Sequence, residues 1–139
     1  MKHTLNTIVL ILLLTPFFLY AGTLEVIVKG IENKQGSIHI GLYHKKKGFL
    51  NPSKQYKGIK RLLKNASTSY RFKDLSSGVY AVAIFHDSNN NNILDKNFLG
   101  IPKEGYGVSN NPKTFGKPTF EACKFKLETN KKIIIELNY

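Results

Sequence analysis

Four oxygen-bearing side chains lie close together in residues 86–95, which read His-Asp-Ser-Asn-Asn-Asn-Asn-Ile-Leu-Asp. Asp87, Asn89, Asn91 and Asp95 are separated by two, two and four positions. On a tight loop, this spacing lets carboxylate and amide oxygens converge on one point, and hard cations such as Ca²⁺ bind oxygen ligands. The stretch therefore predicts a calcium-binding loop.

The loop can be placed in register with an EF-hand by taking Asp87 as its first position. Asn92 then stands at position six, where a left-handed backbone is needed and Asn is the best substitute for Gly. Ile93 would supply a backbone carbonyl at position seven. Phe98 occupies position twelve, where an EF-hand has a bidentate Glu, so Glu104 is the candidate to complete the site from the following segment.

Asp87 and Asp95 give this loop only two certain carboxylates, which predicts affinity in the range of extracellular calcium modules, about 10⁻⁴ to 10⁻³ M. Leu94 is expected to point into the core and to pin the loop. Two alternatives stay open: an Asx-rich turn that hydrogen-bonds its own backbone and binds nothing, and a low-complexity Asn run. The run accounts for residues 89–92, but not for an aspartate at either end.

His86 precedes the loop, and a neutral imidazole can bind a metal or act as a base. Its predicted role is to orient the loop or to pack. The alternative is an envelope hydrolase that uses His86 with Asp87 or Glu104. No nucleophile motif, phosphate loop or cysteine–histidine zinc pattern accompanies these residues. His39 falls on the polar phase of its strand, so we expect it to be solvated.

The elements that must position the loop are short strands, which alternating or continuous apolar residues predict. The first two are expected to form a hairpin, and the nearly all-apolar fifth is expected in the middle of a sheet, directly before the loop. These elements predict an all-β fold, a single antiparallel β-sandwich of about seven strands. The predicted strands are residues 23–30, 37–43, 59–63, 67–72, 79–85, 120–127 and 132–137.

Residues 98–117 form a long stretch without a strand pattern, broken by glycines and prolines. A loop of this length in a compact domain is usually functional. Tyr106 and Phe115, both within its glycine-rich part at residues 100–116, would form the surface that meets a partner. Cys123, the only cysteine of the chain, is expected to be a small buried residue on a strand, because no catalytic signature accompanies it.

The N-terminus has the pattern of a secretory signal peptide, residues 1–21, with a basic start, an apolar centre and a small-residue end. An uncleaved N-terminal anchor is the alternative. Residues 22–139 would then form one exported β-sandwich domain, periplasmic or secreted, without a stable membrane span after cleavage. A single cysteine excludes an internal disulfide.

The formal net charge of the chain is +12, and nearly all of the excess is lysine. Two sources are open: the composition of an AT-rich genome, or binding to anionic envelope polymers through lysine. Nucleic acid is not an expected partner, because the protein is predicted to be exported and Arg61 and Arg71 are its only arginines.

Four blocks of sequence resemble an exported bacterial family called domain of unknown function 2141. Residues 85–95, 99–111 and 115–120 carry the central motifs. Residues 75–82 resemble the turn and first residues by which that family enters the strand before its polar loop. The resemblance implies a signal peptide followed by one prealbumin-like or immunoglobulin-like β-sandwich. It implies no activity, since none is established for the family.

The resemblance also maps the family's polar loop onto Asp87, Asn89, Asn91 and Asp95. The family usually has Gly at the position of Asn92, and it often has Phe where Val108 stands in this sequence.

The function predicted from these observations is that of a non-enzymatic exported binding or structural module. Its Asp/Asn loop would bind Ca²⁺ and order the glycine-rich segment at residues 100–116. That segment would present Tyr106 and Phe115 to an envelope glycan or to a protein.

Overall fold

A computed structural model describes residues 21–63, 69–113 and 115–139. The predicted signal peptide therefore lies outside the described residues, except for Ala21. In chain order, the described elements are β1 (Gly22–Lys29), β2 (Ser37–Tyr43), a 3₁₀ turn (Pro52–Lys54), β3 (Lys57–Leu62), β4 (Ser69–Leu75), β5 (Gly78–Asp87), β6 (Tyr106–Val108), α1 (Phe120–Cys123), β7 (Phe125–Leu127) and β8 (Lys131–Glu136).

The strands form two sheets, which confirms the predicted β-sandwich. Sheet one has the order β4-β1-β8, and sheet two has the order β3-β2-β5-β6, with β7 paired to the first part of β5. The central position predicted for the apolar strand is also confirmed, because β5 pairs with β2, β6 and β7. The long partner of β5 is β2, whose register places His39 opposite Phe85.

The main core lies between the two sheets and draws on the inward-facing residues of both. Alternate positions of each strand point inward, as the strand period requires. A second, smaller apolar cluster lies on the outer face of sheet two, where α1 and a nearby loop cover part of that face. Its buried members are Tyr43, Ala81, Val108, Phe120 and Cys123, with Phe49, Leu50 and Ala83 packed against them.

The predicted hairpin of the first two strands is wrong. β1 pairs with β4 and β8, whereas β2 pairs with β3 and β5, so the connection at residues 30–36 crosses from one sheet to the other. An alternating pattern fits both arrangements, because two facing sheets bury alternate residues as effectively as one hairpin does.

Two further local predictions are corrected. β1 and β8 are parallel, so the sandwich is not purely antiparallel. The predicted strand at residues 120–127 is instead α1 followed by β7. Thr119 caps α1 by accepting a hydrogen bond from the Ala122 N–H, and the three-residue spacing of Phe120 and Cys123 puts both on one helical face.

The predicted irregular segment at residues 98–117 contains β6, which joins the edge of sheet two beside β5. Cys123 is buried as predicted, but it ends α1 instead of lying on a strand. Within the described ranges, no helix has the length and apolar character that crossing a bilayer requires.

Candidate functional site

The Asp/Asn loop begins at the end of β5, where Asp87 is completely buried. Its carboxylate accepts hydrogen bonds from the backbone N–H groups of Asn91, at 3.0 Å, and Asn92, at 2.8 Å. His39 Nε2 lies 3.1 Å from Asp87 Oδ2 and supplies a third donor. A buried carboxylate needs such donors, so Asp87 holds the loop against sheet two.

Asn89 and Asn91 build two successive Asx turns. Asn89 Oδ1 accepts from the Asn91 N–H at 3.1 Å, and Asn91 Oδ1 accepts from the Ile93 N–H at 2.9 Å. Asn90 and Asn92 both have positive φ angles, of 58° and 65°. The turn role predicted for Asn92 is therefore confirmed, and the sequence of asparagines serves the local backbone.

Asp95 closes the loop through side-chain hydrogen bonds. Its carboxylate accepts from Asn89 Nδ2 at 2.7 Å and from Asn91 Nδ2 at 3.0 Å. In this arrangement, amide nitrogens face the carboxylate, whereas a cation beside Asp95 would need the amide oxygens there. Calcium binding would therefore require both carboxamides to turn.

Glu104 reaches the loop from the following segment, as the sequence predicted, but it contacts backbone and hydroxyl donors. Its Oε1 accepts from the N–H and Oγ of Ser88, at 2.9 and 3.0 Å, and its Oε2 accepts from the Asp95 N–H at 3.1 Å. Glu104 is buried, so these bonds tie the start of the glycine-rich segment to both ends of the loop.

Across the described ranges, no group of three or more His, Cys, Asp or Glu side chains is arranged to hold a metal ion. A calcium site at this loop would therefore depend on the carboxamide oxygens of Asn89 and Asn91 and on backbone oxygens such as that of Ile93. Ile93 itself has an exposed side chain.

His86 is fully buried, and both of its ring nitrogens are bonded within the protein. Nε2 lies 2.7 Å from the Gln35 carbonyl oxygen, which can only accept, so Nε2 carries the proton. Nδ1 lies 2.8 Å from the Tyr139 hydroxyl. Neighbouring strand residues point to opposite sheet faces, so His86 and Asp87 do not act on one substrate position.

The prediction that His39 is a solvated strand residue is wrong, because its side chain is only 18% exposed. Its ring stacks on Phe85, with centroids 4.5 Å apart, and its Nε2 contacts Asp87 and the Ser37 hydroxyl. Burial lowers the pKa of His39 below its usual value of 6.5, and the Asp87 carboxylate opposes this shift. A polar position on a strand does not reveal which loop will fold over it.

Two cross-strand rows of sheet two's outer face lie beside the smaller apolar cluster and share Ala83 and Val108 with it. One row runs Gly58, Gly41, Ala83, Val108 across β3, β2, β5 and β6. Because these residues are small, the backbone there forms the floor of a trough, in which the Gln55 side chain lies against both glycines. The adjoining row is Lys60, His39, Phe85, Tyr106.

A groove of about 940 Å³ lies over this floor. Its walls come from the segment that follows the Asp/Asn loop, from the Leu50–Pro52 stretch and from Gly116–Pro118. Leu94 is half-buried and lines this groove, so the prediction that it points into the core is wrong. Three exposed lysines also line it: Lys60, Lys96 and Lys117.

Lys60 links the two sides of the groove. Its Nζ donates a hydrogen bond to Asn92 Oδ1, which joins the edge strand β3 to the Asp/Asn loop. Tyr106 is half-buried on β6 and lines the groove, whereas Phe115 is fully exposed just before Gly116. The structure therefore brings one of the two predicted aromatic residues into the groove and leaves the other near it.

Three consecutive polar residues after β6 were not predicted to matter, yet they anchor the covered part of the sheet. The Ser109 hydroxyl lies 2.6 Å from the Cys123 carbonyl oxygen, and it accepts a hydrogen bond from the Val82 N–H. Asn110 Nδ2 donates to the carbonyls at both ends of the α1–β7 junction. The Asn111 carboxamide bonds the edge of β8 at Ile134 and Glu136. Asparagines at positive φ were the available sequence signal.

Residues 26–135 match a family described as uncharacterised proteins conserved in bacteria, DUF2141. The chain belongs to this family. No curated protein and no solved structure gave a match. Membership agrees with the resemblance found in the sequence and with the two-sheet fold. The DUF2141 description assigns no activity.

Proposed function

We propose that this DUF2141 domain is an exported, non-catalytic binding module whose ligand lies in the groove on sheet two. One observation carries the proposal: a trough of small residues, walled by apolar side chains, lies open to solvent with lysines at its rim. A volume of about 940 Å³ falls within the range of small-molecule sites, about 300–1,000 Å³.

The chemistry of the lining favours a ligand with an apolar or aromatic body and an anionic group. Phe85 and Tyr106 offer aromatic surface beside the trough, and the aliphatic residues of the loop wall offer further apolar contact. Lys96 and Lys117 supply positive charge at the rim, with no acidic side chain in the lining. An envelope glycan with aromatic stacking or a protein segment would use the same groove.

A binding role is favoured over hydrolysis because the residues proposed for catalysis are engaged elsewhere. Both His86 nitrogens are bonded to Gln35 and Tyr139. Asp87 and Glu104 are buried acceptors of loop N–H groups. Residues that hold a loop in this way serve the shape of the groove wall.

The test uses 1-anilinonaphthalene-8-sulfonate, an aromatic probe with one anionic group. Its fluorescence should rise on titration with the protein, and Ala83→Trp should abolish the rise by filling the trough. Val79→Trp is the matched control, because Val79 lies on the same face of β5 but outside the groove. Equal probe affinity in Ala83→Trp and the wild type would contradict the proposal.

Calcium binding at the Asp/Asn loop is a second proposal. It is supported by the oxygen-bearing side chains that this one loop carries at Asp87, Asn89, Asn91 and Asp95, and by the left-handed backbone of Asn92. Calcium would replace the amide donors at Asp95 and stiffen one wall of the groove. Calorimetry should detect binding at about 10⁻⁴ to 10⁻³ M in the wild type and none in Asp95→Ala. No heat at millimolar calcium would refute this part and leave the groove proposal standing.

A further inference from the structure

Exposed apolar side chains are concentrated in two loop tips beside the groove. Phe98 is 96% exposed and Phe115 is fully exposed, and Leu99 and Ile101 next to the first tip are exposed as well. Single exposed apolar residues are ordinary, but a group of large ones on neighbouring loops marks an interaction surface. Leu99 and Ile101 line the groove, but a groove ligand does not account for Phe98 and Phe115, which do not line it.

The first tip is held in shape by its own hydrogen bonds. Asn97 Oδ1 accepts from the N–H groups of Leu99 and Ile101, at 2.9 and 3.0 Å. Lys96 and Pro102 form a β-bridge across the base of the tip. Phe98 is therefore presented outward by a braced turn, which reduces the entropy that binding through Phe98 would cost.

The second tip, which carries Phe115, lies beside the same groove. Phe115 is followed by Gly116, whose φ of 88° belongs to a turn that favours glycine. Residues 99–102 and 116–118 line one groove, so the segments that carry the two phenylalanines are neighbours.

The charge around the tips has one sign. Lys96, Lys103, Lys113 and Lys117 are all exposed in this region. The only acidic residue of the same stretch, Glu104, is buried and bonded to the Asp/Asn loop. Exposed aromatic tips with exposed lysines next to them in the chain complement a surface that is apolar below and anionic above.

We propose that this end of the molecule docks onto a membrane surface that contains anionic lipids. Phe98 and Phe115 insert among the headgroups, and the four lysines contact lipid phosphates. Aromatic side chains favour the bilayer interface, and basic residues near an anionic leaflet strengthen attachment. This inference goes beyond the proposed function, because it concerns where the groove opens and not what the groove holds.

The first test is co-sedimentation of residues 22–139 with vesicles of phosphatidylcholine, with and without phosphatidylglycerol. Both sheets and the core lie within these residues, and a cooperative thermal melt checks folding. Binding is expected with phosphatidylglycerol only, and it should weaken in 1 M salt, where charges are screened within about 3 Å.

Variants at the tips distinguish specific docking from nonspecific hydrophobic binding to vesicles. Phe98→Ser with Phe115→Ser should weaken vesicle binding by about tenfold or more. The matched control is Val79→Ser with Ile134→Ser, which removes two exposed apolar residues elsewhere and should leave binding unchanged. Lys96→Glu with Lys113→Glu should also weaken binding by about tenfold.

Tryptophan fluorescence gives an independent readout, since the chain contains no tryptophan. Phe98→Trp and Phe115→Trp should each show a blue shift with anionic vesicles and quenching by brominated lipid. Val79→Trp should show neither. Absence of wild-type binding, equal binding to neutral vesicles, or equal shifts at all three positions would overturn the inference. If probe binding in the groove persisted in that case, the tips would serve a protein partner and the proposed function would stand.

Discussion

The outer faces of the two sheets differ in residue type and in how their polar groups are bonded. On sheet one, Glu25 accepts hydrogen bonds from the Ser69 hydroxyl at 2.7 Å and from Arg71 at 2.9 Å, and its other oxygen lies 3.2 Å from Lys132. Glu25 lies on the central strand β1 and its partners lie on the two flanking strands, β4 and β8, so the polar face completes its own bonding.

On sheet two, the corresponding face is mostly small or aromatic. The row through Gly41 and Ala83 offers almost no side chain to cover the backbone. In the row through His39 and Phe85, His39 makes polar contacts with the buried residues Asp87 and Ser37. Such a face is covered partly by the smaller cluster around Cys123, and its remainder is the groove. The difference is consistent with the proposal that the ligand lies on sheet two, whereas sheet one is a self-satisfied polar surface.

The largest expected difference between the two faces is in the free energy of unfolding that is lost when the central acidic residue of each face is removed. Asp87→Ala leaves the N–H groups of Asn91 and Asn92 and the His39 ring without their acceptor, all near a fully buried position. We expect a loss of about 2–4 kcal/mol in the free energy of unfolding, by urea titration. Glu25→Ala on sheet one should cost much less, because its partners are exposed to water.

Asp87→Asn is the control for this experiment, since it keeps one acceptor oxygen and should be less damaging than Asp87→Ala. Equal stability losses in Asp87→Ala and Glu25→Ala would show that the two faces do not differ as described.

The pH dependence of stability should distinguish the faces by a smaller amount. The folded pKa of His39 lies below the usual 6.5, owing first to burial, with Asp87 and Glu104 opposing and Lys60 reinforcing the shift. Below pH 6.5, the unfolded chain therefore binds more protons than the folded chain. The contribution of His39 to the free energy of unfolding is complete above pH 6.5 and is lost as the pH falls through the folded pKa.

Glu25 acts in a more acidic window. Hydrogen bonds from Ser69 and then Lys132 lower its pKa below 4.5, so its contribution is complete above pH 4.5 and is lost as the pH falls further. Melting temperatures between pH 3 and 8 should show both steps. His39→Gln should remove only the upper step and Glu25→Gln only the lower. An upper step that persisted in His39→Gln would assign it to another group.

The smallest expected effect concerns the covered part of sheet two. Burial raises the pKa of the Cys123 thiol to about 11, so at pH 8 only about one thiol in a thousand is ionised. Native protein should react very slowly with a disulfide reagent such as dithionitrobenzoate, and unfolded protein in guanidinium should react at once. Rapid native labelling would mean that the cluster opens and that the groove extends beneath α1.

Much of the fold and part of the site could be predicted from local patterns. Strand patterns located β1, β2, β3, β4, β5 and β8, and the continuous apolar run at residues 79–85 identified β5 as the central strand. The spacing of Asp87, Asn89 and Asn91 identified the loop, and Asn92 was assigned its left-handed turn. These features depend on neighbours within a few positions, where residue type and backbone conformation are directly linked.

Pairing between distant segments could not be predicted in the same way. The partners of β1, the parallel addition of β8 and the short strand β6 depend on how two layers bury their apolar faces together. The contact of His39 with Asp87 spans 48 positions, and nothing local to His39 indicates it.

The sequence by itself determined a β-sandwich domain with the Asp/Asn loop after its central strand, because periodicity and turn chemistry are local properties. Only the tertiary structure decided that Glu104 and His39 converge on that turn and that Gly58, Gly41, Ala83 and Val108 line up as one trough. Cross-strand register brings together residues far apart in the chain, and a groove exists only where such residues meet.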